Sequence, residues 1–222
     1  MDSRPTYVCR RAGGPIVVDG VLDEPSWQHA EPIHLLRTDT GAAPRYPTTV
    51  KMLWDDRFLY VAFECIDPDI WGTVTEHDGP MYEEEVVEVF VNANGDEISY
   101  IELEVNPLNV SLDLFALNRN GKLRTLYDWE CEGWLHAVVV NGDLNRRDKI
   151  DRSWAVEMAV PLANVETAPH IPPVDGDAWR ANLYRIDRTT DGDEYSAWSP
   201  TWAINYHIPS RFGQVVFSTE PI

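Results

Sequence analysis

Thr49-Val-Lys-Met-Leu-Trp54 and Phe58-Leu-Tyr-Val-Ala-Phe-Glu64, separated only by Asp55-Asp56-Arg57, decide the fold class of this chain. Both runs are short, rich in β-branched and aromatic side chains, and bounded by turn residues, which is the pattern of strands rather than helices. A three-residue connection is short enough to make them an antiparallel hairpin.

The same signal recurs downstream. Glu85-Val-Val-Glu-Val-Phe-Val91 holds a further strand, and Tyr100-Ile-Glu-Leu-Glu-Val-Asn106 alternates polar with apolar residues. That alternation puts Ile101, Leu103 and Val105 on one face and Glu102 and Glu104 on the other, so the strand is expected to be half-buried. Residues 110–117, 135–140, 153–160, 179–186 and 213–218 continue the pattern, giving about ten strands. Helical signals are confined to 23–30, with Asp23 as cap and Pro25 early in the turn, and to 161–165. The expected architecture is all-β: a two-sheet antiparallel sandwich of immunoglobulin or jelly-roll type, one domain over residues 1–222 with 1–15 as an N-terminal arm. Loops 71–82 and 170–177 carry the most Gly, Pro and Asp, and long loops on a sandwich are where binding usually sits.

Charge narrows the partners. The 222 residues hold 37 acidic and 18 basic side chains, a formal charge of −19. Nucleic-acid phosphates and anionic lipids would be repelled over most of such a surface, so neither nucleic acid nor membrane is expected as a partner. Cations, divalent metals and neutral polyhydroxylated ligands suit it, since carboxylates accept hydrogen bonds from hydroxyls. Solubility alone accounts for the charge equally well. Cys9, Cys65 and Cys131 leave at least one thiol free and show no zinc spacing. The opening MDSRPTYVCRR has no apolar core of a signal peptide, so the chain reads as cytoplasmic as written, or secreted where a signal has been removed. The oligomeric state is left open.

Several separated segments resemble the family 9 carbohydrate-binding modules. They are Ile16-Val-Val-Asp-Gly-Val-Leu-Asp-Glu-Pro-Ser-Trp27, the hairpin Leu53 to Val61 with Asp67-Pro68, Glu85 to Val91, Val105-Asn106, and Trp198-Ser-Pro200 with Pro209-Ser-Arg-Phe-Gly213. Their order is the family's, and together they cover nearly the whole chain. The resemblance implies a β-sandwich, structural calcium in some members, and a slot in which two aromatic rings hold a terminal sugar. Carried over by position, Tyr82 and Tyr206 fall where the clamp is expected, both Tyr where the family's sugar-binding modules have Trp. Glu88 matches an acidic sugar contact, Glu104 replaces a basic one, and Tyr184 stands where an amide is expected. Calcium is implied near Asp19, Asp23, Asp67, Asp69 and Glu85, without an EF-hand spacing to support it.

The residue chemistry agrees with this expectation. A pyranose presents an apolar C–H face to a ring, while carboxylates accept hydrogen bonds from its edge hydroxyls. Tyr82, Glu88, Glu102, Glu104, Trp198, Trp202 and Tyr206 supply both parts, whereas Trp54, Trp154 and Trp179, inside strands, read as core. Arg185, with Asp187 and Arg188, either orients a ligand carboxylate or forms an internal ion-pair network. The leading expectation is a binder of a mono- or oligosaccharide. The alternative is a glycoside hydrolase or lyase using Glu88, Glu104, His77 or His207, since carboxylates held close raise one another's pKa. The same positions, as a solvated acidic face or a calcium site, need no catalysis. Haem binding through Met52, Met81 or Met158 lacks the C-x-x-C-H signature.

Overall fold

The computed structural model describes residues 4–222. Its strands are β1 (Thr6–Arg11), β2 (Ile33–His34), β3 (Leu36–Arg37), β4 (Thr48–Trp54), β5 (Phe58–Ile66), β6 (Val86–Asn92) and β7 (Ser99–Val105). Then follow β8 (Ser111–Arg119), β9 (Lys122–Leu126), β10 (Leu135–Asn141), β11 (Ser153–Pro161), β12 (Ala178–Thr189), β13 (Gly192–Ala197) and β14 (Gly213–Pro221). The one α-helix among the described residues, α1 (Pro25–His29), is a single turn. Its N-cap is Glu24 rather than the expected Asp23, and no side chain caps it.

The strand order β10-β11-β5-β4-β1-β14-β12-β6-β7-β8-β9 folds over into two leaves. Inward-facing Val50, Met52, Trp54, Val61, Phe63 and Met158 of one leaf meet Val87, Val89, Val91, Ile101, Leu103 and Leu183 of the other in a single core cluster. Alternation along each strand puts these residues on the inner face, and their burial is the main driving force for closing the sandwich. Trp54, Trp154 and Trp179 are all buried in this core.

Pairing is antiparallel except at β1, which runs parallel to both β14 and β4. Residues 1–15 were expected as an arm; instead Thr6–Arg11 is a central strand joining the leaves, its alternating burial typical of a paired strand. The first three residues lie outside the described ones. Sequence reasoning passed over β1, β2, β3, β9 and β13, which are short or polar.

Two further layers cover the outer faces. Trp27 and Ala30 cover Leu53, Tyr60, Ala62 and Ala159. The indole of Trp27 donates to Glu157 Oε1 (2.9 Å), and Glu157 Oε2 accepts from the backbone of Asp19 (3.0 Å) and Gly20 (3.1 Å). Gly20 has φ +82°, and a Cβ there would meet Val139 at 2.9 Å, so the Asp19-Gly20 turn needs its glycine. On the other leaf, loop residues Met81, Tyr206 and Phe212 cover Val86, Phe90, Tyr100, Leu112 and Tyr184. That cover overturns the half-buried reading of β7: every residue of the strand is buried, Glu102 and Glu104 included.

Candidate functional site

A cavity of about 410 Å³ opens on the outer face of the leaf formed by β12, β6, β7, β8 and β9. Its floor is three carboxylates. Glu88 on β6 pairs in register with Glu104 on β7, and Glu102 lies two residues along the same face of β7. One oxygen from each of the three lies within 4.8 Å of the others. Glu88, Glu102 and Glu104 are only 2%, 5% and 1% exposed, and Glu88 Oε1, Glu102 Oε2 and Glu104 Oε2 have no hydrogen-bond partner. Burial raises all three pKa values, Glu102 to about 8, and mutual repulsion pushes Glu88 and Glu104 further.

The walls are aromatic. Tyr82 stands in the 3-10 turn Met81–Glu83, Tyr127 follows β9, and Tyr195 projects from β13. Tyr82 and Tyr127 are 41% and 42% exposed, and their hydroxyls interact at the mouth of the cavity. Leu123, Thr125, Ile204 and Asn205 complete the rim. Arg188 also lines it, donating to the backbone oxygen of Tyr82 (3.1 Å) and the Tyr195 hydroxyl (3.0 Å) and forming an ion pair with Asp193. His207 Nδ1 lies 2.8 Å from the Tyr100 hydroxyl and 3.7 Å from Glu102. Burial lowers the His207 pKa to about 4, so the ring is neutral at neutral pH.

Of the residues singled out in the sequence, Tyr82, Glu88, Glu102, Glu104, Arg188, Tyr206 and His207 line this cavity. Tyr206 does so as part of the wall rather than as a free clamp ring. It is buried, stacked on Tyr184 at 4.0 Å, and its hydroxyl donates to the Arg185 carbonyl (2.8 Å). Tyr184 lies fully buried behind it, bonded to Asn182 and the Tyr206 carbonyl. The ring that shares the mouth with Tyr82 is therefore Tyr127, which sequence reasoning missed. The signal was present: Asn120-Gly121, with φ +55° and +72°, is the two-residue turn of the β8–β9 hairpin, and Tyr127 comes directly after its exit strand.

Other candidates lie elsewhere. Trp198 sits in the core, its ring against Gly213. Trp202 lies outside the cavity against Gly41, 45% exposed and held at φ +63°. His77, a catalytic candidate by sequence, lies beside Ser111, Asp78, Asp113 and Glu130 and does not line the cavity. Met52, Met81 and Met158 are core side chains, which removes the haem reading.

Arg185 resolves in favour of the internal network. Its guanidinium, 1% exposed, meets Asp67 (2.8 Å), Asp187 (3.0 Å) and Glu85 (3.9 Å) and donates to the Ile66 carbonyl (2.8 Å), fastening β12 to the end of β5. Asp67 also accepts from the Trp154 indole, and Glu85 from the backbone N–H of Arg188. These two carboxylates thus have protein partners, while Asp19 caps its own turn through Val21. Among the described residues, the two groups close enough to share a metal ion are His77–Asp78–Glu130 and the cavity floor, and neither contains Asp19, Asp23, Asp67 or Glu85. No three of Asp19, Asp23, Asp67, Asp69 and Glu85 bring their carboxylate oxygens together in this way. Cys9, Cys65 and Cys131 are free and buried.

Residues 18–220 match the model of the carbohydrate family 9 binding domain-like family. The chain belongs to that family. Among relatives of this family 9-like chain, an extracellular protein of Arthroderma benhamiae is 24% identical, with 95% of this chain and 96% of that protein aligned. Exoglucanase XynX of Acetivibrio thermocellus is 32% identical over 73% of this chain, which spans only 13% of the enzyme's length. Solved structures agree on the fold. A Bacteroides uniformis protein superposes with a TM-score of 0.75 at 17% identity, covering 97% of this chain and all of that one. A family 9 module from Caldicellulosiruptor kristjanssonii in complex with cellotriose gives 0.66 at 18% identity, covering 97% and 94%. No helix among the described residues is long and apolar enough to cross a membrane.

Proposed function

We propose that this family 9-like chain binds a mono- or oligosaccharide in the cavity above Glu88, Glu102 and Glu104. The observation that carries the reading is the combination of exposed rings and carboxyl groups in one concave site: Tyr82 and Tyr127 at the mouth, Glu88, Glu102 and Glu104 at the floor. Ring faces suit the C–H face of a pyranose, and the carboxyl oxygens suit its hydroxyls. The volume falls in the range of small-ligand pockets. Membership of the family and the cellotriose held by a solved relative support the same reading. The catalytic alternative loses its second imidazole, because His77 stands outside the cavity. The extracellular relative favours a location outside the cell over the cytoplasmic one suggested by the chain as written.

Calorimetric titration with glucose, cellobiose, xylobiose and glucosamine tests the reading, alongside a hydrolysis assay on aryl glycosides. Micromolar to millimolar binding is expected. A panel in which no sugar binds overturns it, and turnover of a glycoside reassigns the carboxylates to catalysis.

A further inference from the structure

From the floor of this cavity we infer that the sugar it takes is an amino sugar, with a free ammonium group seated on Glu88, Glu102 and Glu104. The inference rests on the carbohydrate reading above and narrows it. Three facts carry it. Each of the three carboxylates keeps one oxygen without a partner, although each side chain is at least nine-tenths buried and lines the cavity. Leaving buried acceptors unmade is costly, and the three side chains bring one oxygen each within 4.8 Å of the others, which marks a place for a donor. An ammonium has three free N–H donors when carried on a sugar carbon, one for each carboxyl group.

The spacing agrees. Three acceptors bonded to one tetrahedral nitrogen at ordinary charge-assisted distances stand about 4.6 Å apart. The carboxylate oxygens lie within 4.8 Å of one another. Calcium fits the same bound but takes six to eight oxygens, so water would have to supply much of its shell. Above the floor the walls are Tyr82, Tyr127 and Tyr195, whose ring faces attract a cation and cover a sugar ring but complete no metal shell.

Charge balance points the same way. The cationic side chain on the rim, Arg188, is paired with Asp193, and the neighbouring imidazole of His207 is held neutral by burial. Nothing cationic among the cavity-lining residues is left to neutralise the floor. The raised carboxyl pKa values describe that state: without a cation the floor keeps its protons, and a bound ammonium would displace them.

The test is calorimetry on the full chain at neutral pH with glucosamine, glucose, N-acetylglucosamine and calcium chloride. Glucosamine is expected to bind about tenfold or more tightly than the two neutral sugars. It should release protons, read as a dependence of the heat on the buffer's ionisation enthalpy. Glu88→Gln with Glu104→Gln should bring the glucosamine-to-glucose affinity ratio close to one. Glu102→Gln alone provides a milder variant should the double one not fold.

Equal binding of all three sugars overturns the amino-sugar assignment and leaves carbohydrate binding standing. No binding of any sugar overturns both. A glucosamine preference that survives the floor variants overturns its placement. Calcium binding that is lost in those variants and blocks the sugar makes the floor a metal site and overturns the inference.

Discussion

Glu88 stands directly opposite Glu104 across the antiparallel pair β6–β7, two buried acids on the same face of a central ladder. Like charges in that position destabilise a sheet, and burial adds a desolvation cost. The wild-type chain therefore gives up stability to keep this pair. Glu104→Gln is expected to stabilise the protein by about 1 kcal/mol or more at pH 8. At pH 4.5, where both acids are protonated, it should have little effect; urea denaturation at the two pH values checks it.

The third acid gives the chain a pH dependence of definite sign. Unfolded, Glu102 ionises near the ordinary Glu value, while in the folded protein it holds its proton to about 8. Between those values the folded state binds more protons, so stability falls as pH rises. His207 acts in the opposite sense, with its pKa lowered to about 4, and costs stability as pH falls from about 6.5 towards 4. Asp187, raised to about 7, titrates within the upper window too. The melting temperature is therefore expected to fall from pH 6.5 to pH 8.5, and to fall less in Glu102→Gln. A wild-type curve that rises over that interval contradicts the burial of the acid.

The rings should separate into two classes. Tyr127→Ala and Tyr82→Ala are expected to weaken sugar binding by about tenfold each with little change in melting temperature, because both side chains are substantially exposed. Tyr206→Ala removes a buried ring stacked on Tyr184 and should cost about 3 kcal/mol of stability. Thermal melts paired with calorimetry distinguish the two.

Removing Arg185 should be among the most damaging single changes. Arg185→Met leaves Asp67, Glu85 and Asp187 as buried carboxylates without their cation, at an expected cost of about 3–5 kcal/mol. Because Asp187, with its pKa raised to about 7, and Glu85, also raised, can take up protons, the loss should shrink as pH falls through about 7. Denaturant midpoints measured at pH 5 and pH 8 read out the difference.

The fold was legible where strands carry their own period. The runs at 49–54 and 58–64 pair as expected, and Ile101, Leu103 and Val105 do face the core. What alternation could not reveal is what lies on the polar side of a strand. Glu102 and Glu104 look solvated by sequence because nothing local announces that the distant segment around Tyr206 and Phe212 returns to cover that sheet. The same long-range return hid the role of Tyr206, whose position in a polar loop suggests exposure while its ring is stacked and bonded inward. Tyr127 escaped for a local reason: Lys-Leu-Arg-Thr-Leu is a weak strand sequence, and only the Asn120-Gly121 turn marks the hairpin that carries it.

The parallel placement of β1 bears on how the chain reaches this structure. Tyr7 aligns with Val215, and Arg10 with Leu53, so the first strand of the domain is completed by its last. During synthesis the β1 edge that β14 will occupy stays open until nearly the whole domain has emerged, and closing so long a loop is slow. The seam between the leaves is thus a late folding event. A chain shortened before β14 would keep an adhesive edge instead of losing only a terminal strand.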